Sequence, residues 1–336
     1  METASQPARI ADAAIRGMLA RGVALQLDGD LDGACREYEA ALAAAPQSAV
    51  AWNNLGFART QQGRLDDALA CYERALQIDP SRSMAHANRA LAQVARGELD
   101  AAAQELQRAL ELDPRNTLAA ANLGRLLMAC GEMHSAEQAF RAALQISPAD
   151  AALRIALGTV LAARGRPREA ADEFGRAIDL EPGNAKAWDQ LGLALLMSHD
   201  LGSACDALRH ALSIAPEDCA VRHHLASALL ARGDRIAAEQ ELCRILTLDP
   251  GHTDASVDLA VLALSRHEAA AAFELLERVR QSNHSPRVLF YRALALQGLD
   301  RRDEARAQLE QLAADPTQKY GRLAAEQLAT EARSRQ

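Results

Sequence analysis

The chain has 336 residues, with 37 Lys and Arg against 45 Asp and Glu, and its net charge of −8 argues against the basic footprint that nucleic-acid binding needs. Hydrophobic residues make up 49% of it but aromatics only 3%, which suits many small contacts between helices and excludes a large aromatic core. The acidic excess lies within residues 1–252, because residues 253–336 carry equal numbers of acidic and basic side chains. No stretch approaches the roughly 18 uninterrupted apolar residues of a membrane span, so no membrane insertion is expected. The opening METASQPARIADAAIRG has no basic stretch followed by an apolar run, so no secretory signal is visible and a cytoplasmic location is the expectation. Cys35, Cys71, Cys130, Cys205, Cys219 and Cys243 form no CxxC, and are expected to be small, mostly buried thiols in a reducing compartment.

Along the chain, a first helix is expected to start at Gln6–Pro7, where proline suits the first turn, and to run toward Asp28. Prolines then recur at Pro46, Pro80, Pro114, Pro148, Pro182, Pro216 and Pro250, each 34 residues after the last. Seven in register, among 11 in the chain, mark an internal repeat. Residues 49–82 show its plan. Two apolar-periodic segments, predicted as helices at about 50–62 and 65–78, flank a glycine turn, and Pro80 stops the second. Gly29, Gly63, Gly97, Gly131, Gly165 and Gly233 hold the turn, while His199 and His267, which tolerate positive φ, replace it in two repeats. Ser48, Asn116, Asp150, Asn184 and Asp218 stand where they can cap the next helix, with Ser83 and Thr253 one place later.

A first-helix position reads Gly22, Gly56, Ala90, Gly124, Gly158, Gly192, Ala226 and Ala260. Glycine inside a helix costs about 1 kcal/mol relative to alanine, so its recurrence predicts close approach of a neighbouring helix. A second-helix position reads Ala34, Ala68, Ala102, Ala136, Ala170, Ala204, Ala238 and Ala272, a matching small surface against which the larger Tyr38, Tyr72, Leu106, Phe140, Phe174, Leu208, Leu242 and Leu276, four places on, are expected to pack. The pattern divides the chain into an N-terminal segment with helix extension (1–14), seven regular repeats over 15–252 (15–48, 49–82, 83–116, 117–150, 151–184, 185–218 and 219–252), two degenerate repeats (253–317) and a C-terminal capping helix (318–336). That last helix, expected over 319–335, places Tyr320, Leu323, Ala324, Leu328 and Ala332 on one face.

Trp52-x2-Leu55-Gly56, Ala68-x3-Tyr72 and Pro80, with Trp188-x2-Leu191-Gly192, Ala204-x3-Leu208 and Pro216, resemble the tetratricopeptide repeat (TPR) signature, although Arg59 stands at an expected tyrosine. The resemblance implies an all-α fold: a right-handed α-solenoid, or superhelix, of stacked helix-turn-helix units whose first helices line a concave groove. It implies a non-enzymatic protein–protein interaction scaffold that binds a peptide or protein segment in that groove. The lysines of a chaperone-tail carboxylate clamp are missing at the corresponding positions, so that ligand is not expected.

One first-helix position reads Asn54, Asn88, Asn122, Ala156, Gln190, His224 and Asp258. An asparagine amide offers the donor and the acceptor that match an extended backbone. With helices about 8–10 Å apart and about 3.3 Å per extended residue, one asparagine per repeat would meet a bound peptide at about every third residue. The candidate peptide-binding residues are Asn53, Asn54, Phe57, Thr60, Met84, Asn88, Leu91, Leu118, Asn122 and Arg125, with a more polar stretch at Lys186, Asp189, Gln190 and His224. The competing reading is an asparagine copied by duplication with no ligand. An alternative function is an accessory or regulatory subunit of an enzyme or of a secretion or polysaccharide-assembly machine, docking through its convex face or an Arg-rich end (Arg278, Arg280, Arg287, Arg292, Arg301, Arg302).

No G-x-G-x-x-G, P-loop, G-x-S-x-G or H-E-x-x-H occurs, so no catalytic site and no cofactor is expected. His223 and His224, near Cys219, would point about 100° apart on a helix and chelate poorly, so no metal is expected either.

Overall fold

The computed structural model describes residues 6–280 and 284–334, which form nineteen α-helices and, among the described residues, no strand. The helices fall into two compact units, Met1–Arg166 and Pro167–Gln336. The N-terminal unit holds α1 (Gln6–Leu27), α2 (Leu31–Ala44), α3 (Ala49–Gln61), α4 (Leu65–Ile78), α5 (Ser83–Arg96), α6 (Leu99–Leu112), α7 (Thr117–Ala129), α8 (Met133–Ile146) and α9 (Ala151–Ala163). The C-terminal unit holds α10 (Pro167–Leu180), α11 (Ala185–Met197), α12 (Leu201–Ile214), α13 (Cys219–Arg232), α14 (Arg235–Leu248), α15 (Thr253–Ser265), α16 (Ala269–Arg280), α17 (Pro286–Gly298), α18 (Arg302–Ala313) and α19 (Lys319–Ser334). Apart from α9 and α10, which fall in different units, a helix packs on its hairpin partner, and first helices also pack on the next first helix, as α3 does on α5 and α11 on α13. Each unit is therefore a solenoid of stacked hairpins.

The repeat signals have direct physical counterparts. All six turn glycines have positive φ, and His199 and His267 adopt φ 63° in the same role; Asp300, at φ 61°, does so in the last hairpin. Ser48, Asn116, Asp150, Asn184 and Asp218 each accept a backbone N–H of the helix they precede. Ser83 and Thr253 do not cap. The α5 cap is Arg82, with no side-chain bond, and Ser83 Oγ instead donates to Ala109 O at 2.8 Å. At α15 the cap is His252, whose ring accepts from Ala255 N.

The in-phase glycines sit against large side chains. A Cβ on Gly56 would lie 2.7 Å from the Tyr72 ring, and one on Gly124 would lie 2.8 Å from the Phe140 ring. Where the facing residue shrinks to Leu106, Leu242 or Leu276, the position carries Ala90, Ala226 or Ala260. Gly192 keeps its glycine against Leu208.

A second rule unites residues of unlike appearance. Trp52 Nε1 donates to Pro46 O and Trp188 Nε1 to Pro182 O, each at 3.0 Å. In other repeats His86 (3.2 Å from Pro80 O), Arg154 (2.6 Å to Pro148 O) and Arg222 (to Pro216 O) occupy the same place. What recurs is a donor that ties the first turn of a helix to the carbonyl of the preceding proline, satisfying an acceptor that the turn leaves open.

The thiols depart from expectation. Cys35, Cys71 and Cys205 are buried, but Cys219 is intermediate and Cys130 and Cys243 are exposed; all six are free. At the C-terminal end, α19 lays Tyr320, Leu323, Ala324 and Leu328 against Phe290, Leu309 and Leu312. The helix ends at Ser334; the Ala332 side chain and Arg335 lie outside the described residues.

Candidate peptide-binding site

The first-helix face of the N-terminal unit is built from rows that repeat every 34 residues. One row is apolar and exposed: Val50 at 38%, Met84 at 44% and Leu118 at 36%. A second places half-buried Phe57 and Leu91 in register with Arg125, which is exposed. Thr60 continues the face, but its hydroxyl is already engaged, donating to Gly56 O at 3.0 Å and lying 3.0 Å from the Tyr72 hydroxyl.

The asparagines are more deeply set than an open ladder requires. Asn53, Asn88 and Asn122 are buried, and Asn54 is half-buried. Asn88 Nδ2 donates to Asn53 Oδ1 at 3.0 Å, and Asn53 Nδ2 donates to Asn54 Oδ1 at 3.3 Å. These three amides chiefly bond one another across α3 and α5. The same 35-residue step recurs in the C-terminal unit, where His224 Nδ1 lies 2.7 Å from Asp189 Oδ1 and His223 Nε2 lies 2.8 Å from Asp258 Oδ2. Gln190 Nε2 donates to Asp189 Oδ2, and Lys186 is exposed nearby on α11. Hydrogen bonding to Asp189 raises the His224 pKa, against an opposing effect of burial. The row is thus in part an inter-repeat staple, tying α3 to α5, α11 to α13 and α13 to α15.

Asn122 breaks the pattern. Its staple partner would stand at position 87, which is alanine. Its Oδ1 accepts from Arg125 Nη1 at 2.8 Å, but its Nδ2 is buried without a partner. Leu91, Asn122 and Arg125 line one pocket of about 170 Å³ with Val94, Leu99 and Leu106. Leu99 heads a second helix, so a search confined to first helices misses it; its signal is the leucine that recurs at Leu31, Leu65, Leu99 and Leu201.

The structure brings together Leu91, Asn122 and Arg125 at this pocket, Asn53, Asn54 and Asn88 in the staple, and Lys186, Asp189, Gln190 and His224 in the other unit. The Arg-rich end is largely neutralised. Arg287 pairs with Asp254 and Asp258, Arg292 with Glu277, Arg301 with Glu304 and Arg302 with Asp300. The Arg280 side chain lies outside the described residues. Among the described residues, no group of three His, Cys, Asp or Glu could hold a metal, and no helix is long and apolar enough to cross a membrane.

Four tetratricopeptide repeat models match the chain, at residues 49–82, at 88–151, at 131–196, and at 15–40 with 286–311, together covering more than half of it. The chain belongs to the tetratricopeptide repeat family. Similar solved structures include the C-terminal part of a TPR repeat-containing protein from Cytophaga hutchinsonii (17% identity, TM-score 0.57, 70% of this chain and 97% of that one). They also include pilF of Pseudomonas aeruginosa (23% identity, TM-score 0.53, 60% and 92%) and YrrB, described as a TPR protein with an unusual peptide-binding site (22% identity, TM-score 0.50, 55% and 95%). At these identities the likeness concerns the fold. A comparison with curated proteins finds no match. The TPR fold is in general that of a protein–protein interaction scaffold.

Proposed function

We propose that this TPR protein captures an extended segment of a partner protein on the first-helix face of its N-terminal unit, without catalysing a reaction. The observation that carries the reading is the exposed row Val50, Met84 and Leu118, one large apolar side chain per repeat, beside half-buried Phe57 and Leu91. Large apolar side chains left exposed in a regular row beside a half-buried apolar row suit cover by a partner's apolar side chains. Affinity should come from these apolar residues, with the asparagine staple holding the helices that present them. In this reading the partner is a polypeptide, neither nucleic acid nor membrane, and the protein works in the cytoplasm, where six free thiols are chemically at home.

The test replaces Met84 and Leu118 together, Met84→Asp with Leu118→Asp, in affinity capture from native lysate. Both side chains are exposed, so the fold should survive, as circular dichroism would verify. Partners captured by the wild type should be lost. Capture of the same partners at equal yield would reject the groove.

A further inference from the structure

We propose that the pocket between α5, α6 and α7 is a specificity site for an acidic–apolar step in the bound segment, seating one large apolar side chain while Asn122 and Arg125 take the oxygens of an adjoining carbonyl and carboxylate. The inference rests on the groove reading above and gives it a ligand chemistry.

The pocket walls are apolar apart from two groups, and both are donors. Leu91, Val94, Leu99 and Leu106 form the apolar part. At about 170 Å³ it falls below the roughly 300 Å³ at which small-molecule sites begin, so it suits a single side chain. Asn122 is 8% exposed, and its Nδ2 has no partner. A buried amide donor without an acceptor is costly, and such orphans call for an explanation. Sequence supplies half of it. Asn88 bonds Asn53, whereas the position that matches Asn53 one repeat on, for Asn122, is Ala87. The other half is what could complete the bond, and only an acceptor can do so.

Arg125 points the same way. Its guanidinium donates to Asn122 Oδ1, and among the described residues no carboxylate lies within ion-pair distance of it. A guanidinium beside an apolar pocket favours a carboxylate, for which its fork of donors is suited. Arg125 has donors to spare for that carboxylate while Nη1 stays on Asn122 Oδ1, and Asn122 Nδ2 is left to donate to a backbone carbonyl.

The equivalent slot four repeats later shows what a satisfied version looks like. Leu230, Arg235, Asp258, Val261, Leu262 and Ser265 line it, in register with Val94, Leu99, Asn122, Arg125, Leu126 and Ala129. There Asp258 replaces Asn122 and is matched by His223 and Arg287, and Val261 replaces Arg125. That slot has its hydrogen-bond partners and one counter-charge, Arg287, built in. The slot at Asn122 does not, and an external acidic group is the missing complement.

The experiment selects random dodecapeptides, displayed as internal fusions so that no free carboxylate terminus is present, on the full chain. The chain is used as wild type, Leu91→Asp, Arg125→Glu and Ala87→Asn. Wild type should enrich peptides that place Asp or Glu within two positions of Leu, Met or Phe. Arg125→Glu should weaken these peptides by roughly tenfold or more, and selection on it should favour Lys or Arg instead. Ala87→Asn, which supplies an internal acceptor to Asn122, should weaken them as well while raising thermal stability. Peptides lost on Leu91→Asp but indifferent to Arg125→Glu would overturn the acidic specificity and leave the groove standing. Peptides indifferent to both, or no enrichment on the wild type, would overturn both readings.

Discussion

The asparagine staple makes a quantitative demand on stability. Asn88→Ala deletes a 3.0 Å bond between two side chains that are only 5% and 4% exposed. The bond itself contributes about 1 kcal/mol net, but Asn53 Oδ1 is then left buried without its donor, so the total loss should be about 1–3 kcal/mol. Asn53→Ala should cost a similar amount, because it strands Asn88 Nδ2. The double replacement strands neither, so it should cost less than the sum of the singles by about 1 kcal/mol. The assay is urea unfolding followed by fluorescence of Trp52, which lies on α3 beside Asn53, with calorimetry to detect stepwise loss of repeats. A coupling within about 0.3 kcal/mol of zero, with Asn88→Ala as stable as wild type, would refute the staple and return the asparagines to the role of ligand contacts.

Close packing of α7 on α8 is open to a similar cycle. Gly124→Ala drives a methyl group into the Phe140 ring and should cost about 1–3 kcal/mol in denaturant melts; adding Phe140→Leu recreates the Ala90–Leu106 pairing and should recover part of that loss. The His224–Asp189 contact should make stability depend on pH. Because Asp189 raises the His224 pKa above its usual 6.5, the contribution is complete below the unfolded value and fades as pH climbs through the higher folded one. The margin of wild type over His224→Gln, read from Trp188 fluorescence in urea, should therefore be larger near pH ~6 than near pH ~8.5; an equal margin would remove His224 from the account. Under native conditions a thiol reagent should titrate Cys130 and Cys243 at once and reach Cys35, Cys71 and Cys205 only on unfolding; immediate reaction of all six would contradict the packing.

Much of the fold was legible because a repeat states its rules several times over. Proline, turn residue, cap and small–large packing pair each report a local constraint, and register shows which letters express the same one. Gly56 and Ala90 look different, but they answer to Tyr72 and Leu106 in the same way. The donor at Trp52, His86, Arg154, Trp188 and Arg222 was hidden for the opposite reason. Its chemistry is constant, but its identity varies, and only the distance to the proline carbonyl reveals the common role.

The candidate residues could be read as positions in a repeat but not as an arrangement. Periodicity puts Met84, Leu91 and Leu118 in register on the first helices, because side-chain direction on a helix follows from spacing alone. It could not tell which asparagines were spent on one another. That depends on a residue 35 positions away, and an identical amide is satisfied at Asn88 and orphaned at Asn122. The sequence by itself determined that hairpins form and stack, since caps, turns and apolar stripes act within one or two turns of chain. Tertiary structure decided which polar groups remain open, because a hydrogen bond is a matter of about 3 Å between helices, and a substitution as small as alanine for asparagine at position 87 removes it.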